Sequence, residues 1–312
     1  MNLENLLRET LSDMADEERP PAPGRFLVAH DRSRPRRRGV ALVAASAVAA
    51  LAVGSVVVVQ GMSSRAPGEA VAGPLNAASE APRAVTVTVV EGVRVARLFE
   101  MLSSRTGRPV AEFEKAAKDG SALGLPSYAR GRLEGFAFPG RYAFAPTASA
   151  GEILGAMVAG FGVAADGAGL VEGARRAGRT PLEIVTIASI VQAEAGRDED
   201  MPKIARVIHN RLDRKMFLQM DSTVLYGLGK YGARAGREDL RSRSPYNTYR
   251  RAGLPPGPIG NPGEKAIRAA LKPASGPWLY YVTTDPKNGI TKFASSEAEY
   301  AELVEELRRK KH

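Results

Sequence analysis

Apolar residues fall along this chain in three patterns: one unbroken run, a period of two, and a period near 3.6. The unbroken run is Gly39 to Val59, GVALVAASAVAALAVGSVVVV, which contains no charge and is about as long as a helix needs to span a bilayer. The period of two appears in AVTVTVV, residues 84–90, which predicts a strand. The helical period appears in VARLFEMLSSRTG (95–107), VAEFEKAAKDG (110–120) and ASAGEILGAMVAGF (148–161). Between them lies the aromatic stretch LEGFAFPGRYAF (133–144), with a turn at Pro139-Gly140. The order strand, helix, helix, strand predicts a small α+β module over residues 84–161.

A second set of elements begins near Thr180. LEIVTIASIVQAEAG (182–196) is an almost wholly apolar helix. Thr180 caps its start, Pro181 suits the first helical position, Glu183 completes a capping box, and Gly196 offers a stop. MPKIARVIHNRLDRKM (201–216) is a helix with Ile204, Val207, Ile208 and Leu212 on one face. FLQMDSTVLYGLGKYG (217–232) reads as a turn and short helix, GEKAIRAALKP (263–273) as a helix, and WLYYVTT (278–284) as a buried-type strand. EAEYAELVEELRRKKH (297–312) is a solvated amphipathic helix. Residues 244–263 are too rich in Pro and Gly for regular structure, and a loop that long in a compact domain is usually functional. These elements form a mixed α+β domain over residues 180–312.

Charge orients the apolar run. Arg32, Arg34, Arg36, Arg37 and Arg38 precede it, and the next charge after it is Arg65. By the positive-inside rule, residues 1–38 form a cytoplasmic head and the chain beyond residue 59 is exported. A cleaved signal peptide is the alternative, but the run is long and starts late for one. In the head, Leu3, Leu7, Leu11 and Met14 share a helical stripe. Residues 60–83, rich in Ala, Gly, Ser and Pro, read as a linker. The expected location is therefore the cell membrane, single-pass, with the N-terminus cytoplasmic and the domain over residues 180–312 extracytoplasmic. The net charge of +10 suits a polyanionic partner, and with no nucleic-acid motif an anionic wall polymer or lipid fits better. No cysteine is present, which removes thiol catalysis and cysteine-bound metal. His30, His209 and His312 are scattered, so no His-rich metal site is expected.

The candidate chemistry lies in the apolar helix. Glu194 follows Ile187, Ile190 and Val191 at helical spacing. A carboxylate on an apolar face at the negative end of a helix is disfavoured in its charged form. A protonated carboxyl is what a general acid needs near neutral pH. The alternative reading places Glu194 where the helix emerges into water.

Several blocks together resemble the endolytic murein transglycosylase (YceG-like) family: ASIVQAEAG at 188–196, IHNRL at 208–212, LQMDSTVLYG at 218–227, YNTY at 246–249, GLPPGPIGNPG at 253–263 and, upstream, LEGFAFP at 133–139. The resemblance covers about residues 84–300. It implies a membrane anchor, a LysM-like module over 84–161 and a catalytic domain. It also implies a nonhydrolytic cut within peptidoglycan glycan strands, between N-acetylmuramic acid and N-acetylglucosamine, leaving 1,6-anhydromuramic ends. Glu194 maps to the family's catalytic glutamate, no cofactor or metal is implied, and wall synthases are the implied partners. Glu134, Asn210, Gln219, Asp221, Tyr246, Asn247, Thr248 and Tyr249 are candidates to hold sugar hydroxyl and acetamido groups. Asn210 equally suits a core hydrogen bond, Asp221 a helix cap, and Glu134 an interdomain salt bridge. Gly253, Pro255, Pro256, Gly257 and Pro258 would shape the cleft wall. Where many relatives carry histidines near the C-terminus, this chain has Lys292-Phe293 and Glu299-Tyr300. The competing readings are a noncatalytic wall-binding protein and a hydrolytic muramidase with Asp221 as its second carboxylate.

Overall fold

The structure, a computed structural model, describes residues 84–311 except Ala233, Pro286 and Lys287. The expected head, membrane span and linker lie outside the described residues. Among the described residues, no single helix is long and apolar enough to cross a membrane.

The alternating run forms strand β1 (Val85–Val89), which pairs antiparallel with β2 (Gly140–Phe144), Val85 opposite Phe144 and Val89 opposite Gly140. Helices α1 (Val95–Thr106) and α2 (Val110–Ala116) lie between them in the chain. Helix α3 (Ala150–Ala168) follows, started by a capping box of Ser149 and Glu152. Val87, Val89, Leu98, Leu102, Phe113, Leu154 and Met157 close a first core. α3 continues past the predicted end at Phe161, because Phe161 and Ala165 pack into a second core.

That second core surrounds helix α5 (Pro181–Glu194), which follows the short α4 (Leu170–Arg176). Every residue of α5 from Ile184 to Val191 is buried, as expected for a helix apolar on all sides. The predicted capping box is present: the Glu183 N–H donates to Thr180 Oγ1, and the Thr180 N–H donates to Glu183 Oε2. The stop differs from expectation. Ala195 ends the helix in an extended conformation, and Gly196 does not take the left-handed backbone of a glycine cap. Helices α6 (Met201–Asp213) and α9 (Glu264–Leu271) pack on α5, and α7 (Asp221–Gly227) touches it. The short α8 (Arg237–Leu240) lies between α7 and the Pro-Gly loop.

Strand β3 (Tyr280–Asp285) pairs antiparallel with β4 (Ile290–Ala294), and α10 (Glu297–Lys311) covers this hairpin with Val304 and Leu307. WLYYVTT was expected to be buried on both faces. Its residues are all buried or half-buried, with Val282 against α10 on one face and Tyr281 against the second core on the other. The architecture is mixed α+β, with helices around two small sheets.

One buried side chain fastens the two cores. Asn261 Oδ1 accepts the N–H groups of Gly135 (3.0 Å) and Ala137 (2.9 Å), while its Nδ2 donates to the Val93 carbonyl (2.8 Å). Gly135 has a φ of +91°, and a Cβ there would lie 2.5 Å from Pro258 Cγ. The Pro-Gly loop also rests on α5: the Ile259 N–H donates to Ser189 Oγ and the Gly263 N–H to Gln192 Oε1, each at 3.0 Å. The irregular loop is therefore held by the polar side chains that interrupt the apolar helix.

Candidate active site

Glu194 closes α5, and two hydroxyls reach it from other elements. Ser222 Oγ, in the first turn of α7, donates to Oε1 at 2.6 Å. The Tyr281 hydroxyl, on β3, donates to Oε2 at 2.8 Å and lies 3.0 Å from Met220 Sδ. Burial pushes the Glu194 carboxyl above the usual range, the two hydroxyl bonds oppose that, and nearby Asp221 adds to it. Desolvation is the largest influence, so the net direction favours the protonated form. Glu194 thus does not emerge freely into water.

The neighbouring acid, Asp221, accepts from the Tyr249 hydroxyl at 2.6 Å. Burial raises its carboxyl as well, against the Tyr249 bond and a bond from the Ala235 backbone. The cap expected of Asp221 is absent: Met220 occupies the cap position, and Asp221 is the first residue inside α7. Burial likewise lifts the Tyr249 and Tyr281 hydroxyls well above their ordinary range, so both remain donors at neutral pH.

The other candidate residues divide by what their side chains touch. Asn247 and Thr248 are fully buried and shape the loop. Asn247 Nδ2 donates to the carbonyls of Leu240 and Ser242, both at 2.9 Å, and Thr248 Oγ1 accepts the Met220 N–H at 3.0 Å. Thr248 thereby sets the start of α7, and with it Ser222. Asn210 makes the core bonds that its alternative reading expected, donating to the carbonyls of Gly276 (3.1 Å) and Trp278 (2.8 Å). Gln219 adopts a φ of +53° and its Oε1 accepts from buried Arg211 at 3.3 Å. Tyr246 is half-buried, its ring 4.8 Å from that of Tyr226.

Glu134 belongs to a separate cluster. Its carboxylate accepts the Val95 N–H at the start of α1 (3.1 Å) and the Tyr226 hydroxyl (3.1 Å), and Asn261 Nδ2 lies 3.4 Å away. Burial pushes its carboxyl up to about 7, despite these bonds and the nearby Arg94 guanidinium. The structure therefore joins Glu194, Ser222, Tyr281, Asp221 and Tyr249 at one place and ties Glu134 into the seam between the cores.

A groove of about 290 Å³ touches the Glu194 cluster at Ser222, and Ala193, Glu91, Arg94 and Arg97 also line it. A larger hollow of about 430 Å³, between Ala168, Met201, Pro202 and Leu271, includes none of the Glu194 cluster. Chemistry, not size, selects the smaller one. Among the described residues no group of three His, Cys, Asp or Glu side chains could hold a metal ion. At the two departures from the relatives' histidines, Lys292 pairs with Glu306 at 2.7 Å and the Tyr300 ring stacks on Tyr280 at 5.1 Å.

Sequence reasoning missed Ser222 and Tyr281. Ser222 sat inside the quoted LQMDSTVLYG block. Tyr281 looked like one more apolar strand residue, although its hydroxyl needs a partner when buried.

The chain is 37% identical over 175 residues to an endolytic murein transglycosylase of Bacillus subtilis (strain 168), covering 55% of this chain and 47% of that protein. An endolytic murein transglycosylase of Streptococcus pneumoniae serotype 2 is 32% identical over 185 residues, 58% of this chain and 33% of that one. The chain therefore spans between a third and a half of these curated relatives. The crystal structure of a yceG-like protein from Listeria monocytogenes matches with a TM-score of 0.63 and 29% identity, over 70% of this chain and 76% of that one. The YceG-like family matches residues 37–306. A match over that much of the sequence means that this chain belongs to the YceG-like family.

Proposed function

We propose that this chain is a membrane-anchored endolytic lytic transglycosylase, a lyase that cuts peptidoglycan glycan strands between N-acetylmuramic acid and N-acetylglucosamine. The observation that carries the reading is a single carboxyl, Glu194, held by Ser222 and Tyr281, pushed toward its protonated form and reached through Ser222 from a neighbouring groove. The names of the Bacillus and Streptococcus relatives point the same way.

The chemistry follows from that carboxyl. Protonated Glu194 donates its proton to the glycosidic oxygen as the bond to the muramic C1 breaks. Charge develops on the ring as an oxocarbenium-like transition state. The carboxylate left behind is stabilised by the Ser222 and Tyr281 hydroxyls. It then accepts the proton of the muramic C6 hydroxyl as that oxygen attacks C1, which closes the 1,6-anhydro ring. One group serves as acid and then as base, and water contributes no atom to the product. Asp221 is engaged by Tyr249 and the Ala235 backbone. In this scheme it tunes Glu194 rather than attacking the sugar.

The organisation that goes with this function has a cytoplasmic head (1–38), a membrane helix (39–59), a linker (60–83), a LysM-like module (84–161) and a catalytic domain (180–312) outside the membrane. The β-α-α-β order of the first module supports the LysM-like assignment. Wall synthases that supply nascent strands are the partners that fit an enzyme limiting strand length.

The test is to incubate the full chain in detergent with uncrosslinked glycan strands and identify the product ends by mass spectrometry. Anhydromuramic ends are expected, falling at least about a hundredfold in Glu194→Gln. Reducing ends would replace the reading with a muramidase, and binding without cleavage would replace it with a wall-binding protein.

A further inference from the structure

The groove beside Glu194 has a second wall that the reaction scheme does not use. Arg94 and Arg97 line it from the start of α1, in the first module, and Tyr231 lines it from the segment after α7. The same short stretch of chain thus carries Ser222, which holds Glu194, and Tyr231.

Tyr231 is 64% exposed, a large aromatic ring at the groove edge. It is nevertheless held. The Arg94 guanidinium carbon lies 4.5 Å from the Tyr231 ring centroid and 5.2 Å from that of Tyr226. Arg94 Nη1 donates to the Lys230 carbonyl at 2.6 Å, one residue before Tyr231. A cation over a ring face is attractive, so Arg94 backs one face of Tyr231. With Tyr231 64% exposed, Arg94 covers only part of the ring. At about 290 Å³ the groove stands at the small end of ligand sites.

We infer that Tyr231, backed by Arg94, is the platform of a sugar-binding subsite next to Glu194, on which one pyranose ring of the glycan stacks, and that the first module thereby builds part of the substrate groove. Pyranose C–H groups carry slight positive charge and suit the negative face of a tyrosine ring. Arg97 and Glu91, at the same groove, supply a donor and an acceptor for hydroxyl or acetamido groups at the ring edge. The subsite rests on the transglycosylase reading and adds a specificity element to it.

The test measures binding of uncrosslinked glycan strands to the full chain in detergent, in the Glu194→Gln background so that nothing is cut. Tyr231→Leu, which keeps bulk without a ring, is expected to weaken binding about fivefold. Tyr231→Phe is expected to stay within about twofold of the parent, because the ring face rather than the hydroxyl makes the contact. Equal binding by the parent and Tyr231→Leu would overturn the subsite and leave the function untouched. A Tyr231→Phe loss as large as that of Tyr231→Leu would also overturn it, by assigning the contact to the hydroxyl. A parent that binds no strands, together with an uncut substrate for the unsubstituted chain, would overturn the function and the subsite with it.

Discussion

At the scale of single residues, the account turns on how Glu194 is held. Its two hydroxyl partners favour the carboxylate, while burial and Asp221 favour the acid. Tyr281→Phe removes one donor and leaves the ring in place. Without that bond the carboxyl moves further up, so the falling, alkaline limb of the rate profile shifts to higher pH. Orientation is lost at the same time, and the rate should drop roughly tenfold or more. A pH series of initial cleavage rates checks both; a limb that moves to lower pH would contradict the assignment of Tyr281. Glu194 itself was legible in the sequence because a capped, wholly apolar helix isolates one unexplained charge. Its partners were not. Ser222 lies 28 positions away and Tyr281 lies 87, and no local period encodes a contact at such separations. Asp221 misled for a different reason: its place beside a short helix resembles a cap, but Tyr249 takes its carboxylate.

At the scale of elements, local signals worked where they are strongest. The capping box of Thr180 and Glu183, the alternating β1 and the amphipathic α6 all form where the pattern placed them. Signals that depend on tertiary surroundings failed. Gly196 does not serve as the stop of α5, which ends at Ala195 in an extended conformation. The strand β4 escaped notice because it is short and, before the buried Ala294, alternates only between exposed and half-buried residues. Gly135 shows what the loop between the cores demands. Its left-handed backbone disfavours any side chain, and Pro258 already occupies the space a Cβ would take. Gly135→Ala is expected to cost about 2 kcal/mol of stability or more, measured by urea unfolding. A change below about 0.5 kcal/mol would show that the seam yields easily.

At the scale of the whole molecule, the two cores are joined by Asn261 and by the buried carboxyl of Glu134. That carboxyl rises from an ordinary 4.5 to about 7 in the fold. Between those values the unfolded chain releases a proton that the folded chain keeps. The Glu134 contribution is therefore fully present below about pH 4.5, declines as pH rises and is lost above about 7. Glu134→Gln removes the titration, so the difference in melting temperature between the two chains should shift in favour of the variant as pH rises through that window. Thermal melts from pH 4 to 8 would check this; a constant difference would contradict the burial of Glu134. The mixed architecture was readable from the order of elements. The seam was not, because it is made of single side chains such as Asn261, embedded in a stretch whose Pro and Gly content announces only a loop.

The most direct measurement is strand cleavage in heavy-oxygen water by the full chain, with the new ends weighed by mass spectrometry. If Glu194 acts alone as acid and then base, the anhydro ends carry no label, and Glu194→Gln produces almost none of them. Labelled reducing ends would mean that water attacks C1, and would contradict the account at its centre.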